Sequence, residues 1–237
     1  VPESSFSPQS PGAERIRLKI CGLREPDQAA AIAAMGVDAI GVVAVQGSPR
    51  FLPAVQRSPL FAAARSSHVG CFGVLVVADP ADADLPALAA GNGHQVVQLH
   101  GGETVERCHQ LRRALGAEVE LWKALRIRSP EDLDRCVAYG EAVDALLLDA
   151  WVPGQLGGTG CPIPLDWLEG FAPKLPWWLA GGISPETVEE VLQRVHPHGL
   201  DASSGVERQP GCKDLQRVRN LLEWIEPFQQ VVSAPSS

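Results

Sequence analysis

Eight short apolar runs recur along the chain, and after each the apolar residues switch to helical spacing. The runs are 16–21, 38–45, 69–77, 95–100, 118–125, 144–150, 177–181 and 199–203. Between them, stripes such as Val105, Cys108, Leu111 and Leu115, then Val188, Val191, Leu192 and Val195, then Leu215, Val218, Leu222 and Ile225, recur every three or four residues. Short runs of this kind are strands covered on both faces, and parallel strands need a helix-length crossover between them. Eight such units imply one α/β domain, a closed (β/α)8 barrel, a fold that takes about 250 residues. The chain has 237. Pro59 interrupts the second helical segment, so only a weak helix is expected there.

Residues 1–14 are rich in Pro and Ser and read as a disordered extension; the last residues from Val231 are similar. The barrel is expected over 15–230, with no linker inside it. A formal net charge of −8 argues against nonspecific nucleic-acid binding and against an anionic membrane surface. The longest apolar stretches stop far short of the roughly 20 residues that span a bilayer. Six cysteines without close pairing, and a start without a basic and apolar leader, imply a cytoplasmic protein. His196 and His198 flank Pro197 at the opposite rim, and no Cys/His set has zinc spacing, so no metal is expected.

In such a barrel, chemistry belongs at the C-terminal ends of the strands. In Arg17-Leu18-Lys19-Ile20-Cys21-Gly22, period two puts Arg17, Lys19 and Cys21 on the inward face, with Cys21 at the top. A thiol there is either a base, if its pKa falls, or a small apolar filler. Asp149 ends an apolar strand, where an unpaired carboxylate is rare. Desolvation there would keep it partly protonated and fit to act as an acid; a cap or loop salt bridge is the alternative. Glycine-dense 154–160 follows as a loop able to cover a ligand. Gly181 and Gly182 precede a helix start, with Ser184 as its cap, and Ser203, Ser204 and Gly205 end the eighth run. Loops seven and eight are the usual phosphate site of this fold, so both clusters are assigned to a phosphate. Arg50 lies just past the second run, where a guanidinium could clamp a carboxylate or stand solvated. His100 is either a substrate-positioning group or a satisfied strand-end histidine.

With those segments assembled, the chain resembles the phosphoribosylanthranilate isomerase family. The matching stretches are 18–23 (Leu-Lys-Ile-Cys-Gly-Leu), 48–51, 97–101, 146–150 with 157–160, 179–183 and 201–207 running to Lys213 and Asp214. The resemblance implies a barrel enzyme of tryptophan biosynthesis, an aldose–ketose isomerase that needs no cofactor. It makes Cys21 the general base and Asp149 the general acid, gives Arg50 an anthranilate carboxylate, and gives the glycine and serine clusters a phosphate. The implied partner is a small phosphorylated substrate, with no nucleic acid or membrane, in a monomer or homodimer. In this chain Gly41 to Val45 stand where the family tends to carry phenylalanine, and Ala202 where valine is usual. Other phosphate-binding barrels, such as an indole-glycerol-phosphate synthase or a sugar-phosphate epimerase, share the phosphate loops but use a lysine set or a metal-binding His/Asp set. A non-catalytic phosphate-binding barrel is the remaining alternative.

Overall fold

The structure is a computed structural model that describes residues 15–150 and 160–229. The expected 1–14 extension, the tail from Val231 and all of the 154–160 loop except Gly160 lie outside the described residues. Eight parallel strands close into one barrel: β1 Arg17–Cys21, β2 Ala39–Val43, β3 Phe72–Val77, β4 Val96–Leu99, β5 Glu120–Ile127, β6 Ala145–Ala150, β7 Trp177–Ala180 and β8 Gly199–Ala202. Closure comes from β8 pairing back to β1, with Lys19 opposite Asp201. All eight runs read from the sequence are present. β5 lies about two residues later than its apolar run suggests, because its pairing with β6 continues to Ile127 opposite Ala150.

The crossovers are less uniform than eight helical patterns imply. Full helices follow β1 (α1, Pro26–Ala33), β2 (α2, Ala54–Ser67), β4 (α4, Val105–Leu115), β7 (α5, Val188–Arg194) and β8 (α6, Leu215–Gln229). After β3 there is only a 3-10 turn and the short α3, Leu85–Leu88. After β5 the chain winds as 3-10 helix over Pro130–Tyr139, and after β6 a single 3-10 turn, Leu165–Trp167, is described. Prolines are dense in these connections and remove backbone donors that an α-helix needs. The expectation at Pro59 fails in the other direction: α2 runs 14 residues straight through it. Its missing N–H would have bonded at Val55, which is exposed to solvent, while Leu60, Phe61 and Ala64 bury the next turn against the sheet. Regular α5 begins at Val188, later than a cap at Ser184 implies, because Ser184–Thr187 forms a turn tied by Thr187 Oγ1 donating to the Gly182 carbonyl at 2.6 Å.

Alternation along each strand sorts the side chains into two cores. Leu18, Ile20, Val97, Leu99, Leu146 and Leu148 face outward to the helices. The inward set is floored by aromatics: Trp122 and Trp178 lie with ring centroids 4.8 Å apart, and Phe72 meets Trp122 edge-on at 5.9 Å. Above this floor the barrel interior turns polar. Lys19, Gln98 and Asp201 are all buried there, and the strand ends above them form the mouth.

Candidate active site

One cleft opens at the C-terminal rim, and its walls include Cys21, Arg50, His100, Asp149, the Gly181–Gly182 pair and Ser203–Gly205. Every residue singled out at a strand end therefore meets at one mouth. Cys21 ends β1 and Asp149 lies near the end of β6, so thiol and carboxyl approach from separate sides of the ring. Both are buried, at 8% and 3% exposure.

Cys21 sits over the polar layer. Lys19 Nζ donates to Asp201 Oδ2 at 2.9 Å and to Gln98 Oε1 at 3.0 Å, and its ammonium also faces the thiol. Burial pushes the Cys21 thiol up, Lys19 and Lys213 pull it down, and Asp201 pushes it up again; the net shift is upward. This is opposite to the lowering expected of a base at this position. The physical reason is burial first, which outweighs the pull of Lys19, a cation that Asp201 also shares. Burial alone would lower Lys19, but Asp201 and Cys21 beside it outweigh burial and hold the ammonium above its ordinary value.

Asp149 Oδ2 lies 3.4 Å from His100 Nε2, a close approach whose geometry is not that of an aligned hydrogen bond. His100 Nδ1 lies 3.1 Å from Gln98 Nε2, so the histidine is tied to the polar layer below and turned toward the acid beside it.

The glycine and serine wall of the cleft is built where two loops touch. Gly205 abuts the backbone of Ile183, and a Cβ there would collide with the Ile183 carbonyl. Gly181 and Gly182 both take positive φ, 85° and 70°, which brings their backbone to the cleft in a conformation costly for other residues. Ser204 and Gly205 line the opening. The Ser203 hydroxyl is turned away to the Cys21 carbonyl at 3.1 Å, so this serine links the wall to β1.

Arg50 is neither solvated nor open as a two-pronged clamp. Its Nε and Nη2 hold both oxygens of Glu207, at 2.9 and 2.6 Å. Glu207 also accepts from Lys213 Nζ at 2.6 Å and from the Gly211 amide at 3.0 Å. Burial works to raise the Glu207 carboxyl, but Arg50 and Lys213 outweigh it and hold it below its ordinary value. The residues that sequence reading passed over are thus Gln98, Asp201, Glu207 and Lys213. Their signal was present as polar side chains at inward or loop positions next to the assigned motifs, but their partners lie up to 182 residues away in sequence.

Comparison with known proteins places these features in a family. Residues 18–224 match the model of N-(5'-phosphoribosyl)anthranilate (PRA) isomerase. The chain is 44% identical over 208 residues to the N-(5'-phosphoribosyl)anthranilate isomerase of Trichormus variabilis, covering 88% of this chain and 97% of that protein. It is 46% identical over 206 residues to the enzyme of that name from Synechococcus elongatus, covering 87% and 94%. Among solved structures, phosphoribosyl anthranilate isomerase from Thermotoga maritima superposes with a TM-score of 0.78 at 25% identity, covering 90% of this chain and 99% of that one.

Proposed function

The chain belongs to the N-(5'-phosphoribosyl)anthranilate isomerase family, and on that premise we infer that it catalyses the Amadori rearrangement of N-(5'-phosphoribosyl)anthranilate. The product is 1-(2-carboxyphenylamino)-1-deoxyribulose 5-phosphate, and the step belongs to tryptophan biosynthesis. The observation that carries this reading is a buried thiol and a buried carboxyl at one mouth, on β1 and β6, with a glycine and serine wall beside them.

The roles follow from the chemistry. Protonated Asp149 donates to the ring oxygen, the furanose opens, and a Schiff base forms at C1. Cys21, as thiolate, takes the C2 proton and leaves an enolamine, which tautomerises to the ketose. The reaction is redox-neutral and needs one acid and one base, each contributing about 10²–10⁴-fold. A thiol held high is ionised in only a small fraction, but that fraction is a strong base, and Lys19 beside it stabilises the anion. The phosphate is assigned to the backbone of Gly181, Gly182 and Gly205 with the Ser204 hydroxyl. That grip anchors the far end of the substrate, so its binding energy orients the reacting end. Ser203 supports the wall through Cys21. Arg50 is assigned to the anthranilate carboxylate through Nη1, the nitrogen outside its pair with Glu207. His100 steadies Asp149.

Residues 15–230 are proposed as the barrel isomerase domain, acting as a monomer or homodimer in the cytoplasm on a small phosphorylated substrate. No helix among the described residues is long and apolar enough to cross a membrane. The direct test adds freshly made N-(5'-phosphoribosyl)anthranilate to purified protein and follows the anthranilate-type fluorescence. Protein-dependent loss of signal is expected; a signal that decays only at the rate of the buffer blank refutes the function.

A further inference from the structure

We infer that Gln98 is a positioning residue for the general acid: its amide holds His100 in the Nε2–H tautomer, and this decides which oxygen of Asp149 carries the transferable proton. The inference rests on Asp149 being the acid, but the tautomer itself is a property of the folded protein.

The chain of donors fixes each step. A lysine ammonium only donates. Lys19 Nζ is fully buried and lies 3.0 Å from Gln98 Oε1, so the carbonyl end of the amide faces it; the reversed amide would set NH2 against NH3⁺. Asp201 Oδ2, 2.9 Å from the same ammonium, holds the lysine in place. The NH2 end of Gln98 is therefore turned to His100 Nδ1, 3.1 Å away. An NH2 group donates, so Nδ1 accepts, and the ring hydrogen resides on Nε2. Gln98 is 1% exposed, so water does not compete for either end of the amide.

Nε2 is itself buried without an aligned hydrogen bond, and it faces Asp149 Oδ2 at 3.4 Å. An N–H presented there makes Oδ2 an acceptor. The acid proton then belongs on Oδ1, the oxygen on the Gly181 side, where a Cβ on that glycine would stand 3.2 Å away. Once the proton has left for the substrate, the same N–H faces the new carboxylate and stabilises it. The opposite tautomer would set a nitrogen lone pair against that anion. Lys19 thus supports the base directly and the acid through two relayed hydrogen bonds across the polar layer.

The test is a long-range proton–nitrogen correlation spectrum of protein labelled with ¹⁵N-histidine, with His100→Asn identifying the signal. A wild-type ring protonated on Nε2 is expected. Gln98→Met should shift the ring toward the Nδ1–H form and lower kcat by about 10–100-fold, the range typical of lost second-layer hydrogen bonds. KM should stay within about twofold, because only the acid step is disturbed. A wild-type Nδ1–H ring overturns the inference even if the variant does not fold. So does Gln98→Met that keeps the Nε2–H form, or one that changes tautomer at full kcat. An Nε2–H ring in a wild-type protein that does not turn over N-(5'-phosphoribosyl)anthranilate would instead remove the functional reading.

Discussion

At position 21 the protein carries a thiol whose burial, more than any neighbour, sets its proton affinity. Because that affinity is raised, the thiolate grows with pH through and above the ordinary thiol value. The kcat/KM of the wild type should therefore climb about tenfold per pH unit on its alkaline side until the thiol is ionised. Lys19 lowers the thiol, and removing it also leaves Asp201 as an uncompensated anion, so Lys19→Met should move the limb to still higher pH. A limb centred at or below neutral pH would contradict both statements. The other cysteines supply a contrast. Burial pushes Cys71 up to about 12, and Cys108 and Cys136 up to about 11, while Cys161 is exposed beside the cleft. At neutral pH an alkylating reagent should modify Cys161 first and reach those three only after unfolding; mass mapping of the labelled protein checks the order.

At the scale of elements, the two strand-end loops that build the glycine and serine wall are held by a small number of contacts. Glu207 ties the loop after β8 to Arg50 in the loop after β2, and Lys213 ties it to the Ser203 carbonyl at 3.3 Å. Glu207→Gln leaves two buried cations short of their anion, and should cost about 3–5 kcal/mol in urea unfolding, as broken buried pairs do. The sign of the pH dependence follows from the lowered Glu207 carboxyl. The pairing is present above the unfolded carboxyl value of about 4.3 and is lost as pH falls through the lower folded value. Gly205→Ala should raise the KM for the phosphorylated substrate, because the new Cβ forces the wall off the Ile183 carbonyl. An unchanged KM would separate this wall from the phosphate. Much of this level was legible in sequence. The inward parity of Arg17, Lys19 and Cys21, the strand-end place of Asp149 and the glycine pair all follow from local alternation and turn chemistry. The partner of Arg50 was not legible, because Glu207 reaches it only when β8 closes on β1. The 3-10 crossover at Pro130–Tyr139 was hidden for another reason: its apolar spacing is also compatible with an α-helix.

The whole molecule is a ring with an aromatic floor, a polar middle and a reactive rim. Number and order of strands could be read from eight runs, since a parallel sheet of that size and length closes in few ways. The polar middle could not, because Lys19, Gln98 and Asp201 come from β1, β4 and β8 and meet only inside the closed barrel. Floor and rim should be separable by mutation. Trp178→Ala removes a side chain packed against Trp122 and Phe72, and should lower stability by about 3–5 kcal/mol. Cys21→Ser and Asp149→Asn at the rim should instead change turnover and leave the unfolding midpoint nearly where it was. The decisive measurement is the kcat of Cys21→Ser and of Asp149→Asn, each folded protein assayed with N-(5'-phosphoribosyl)anthranilate beside the wild type. Each variant should fall by about 10²–10⁴-fold with little change in KM, as the loss of a proton donor or acceptor requires. Near-normal turnover in either would mean that a thiol and a carboxyl facing across this mouth are not the base and acid of the reaction.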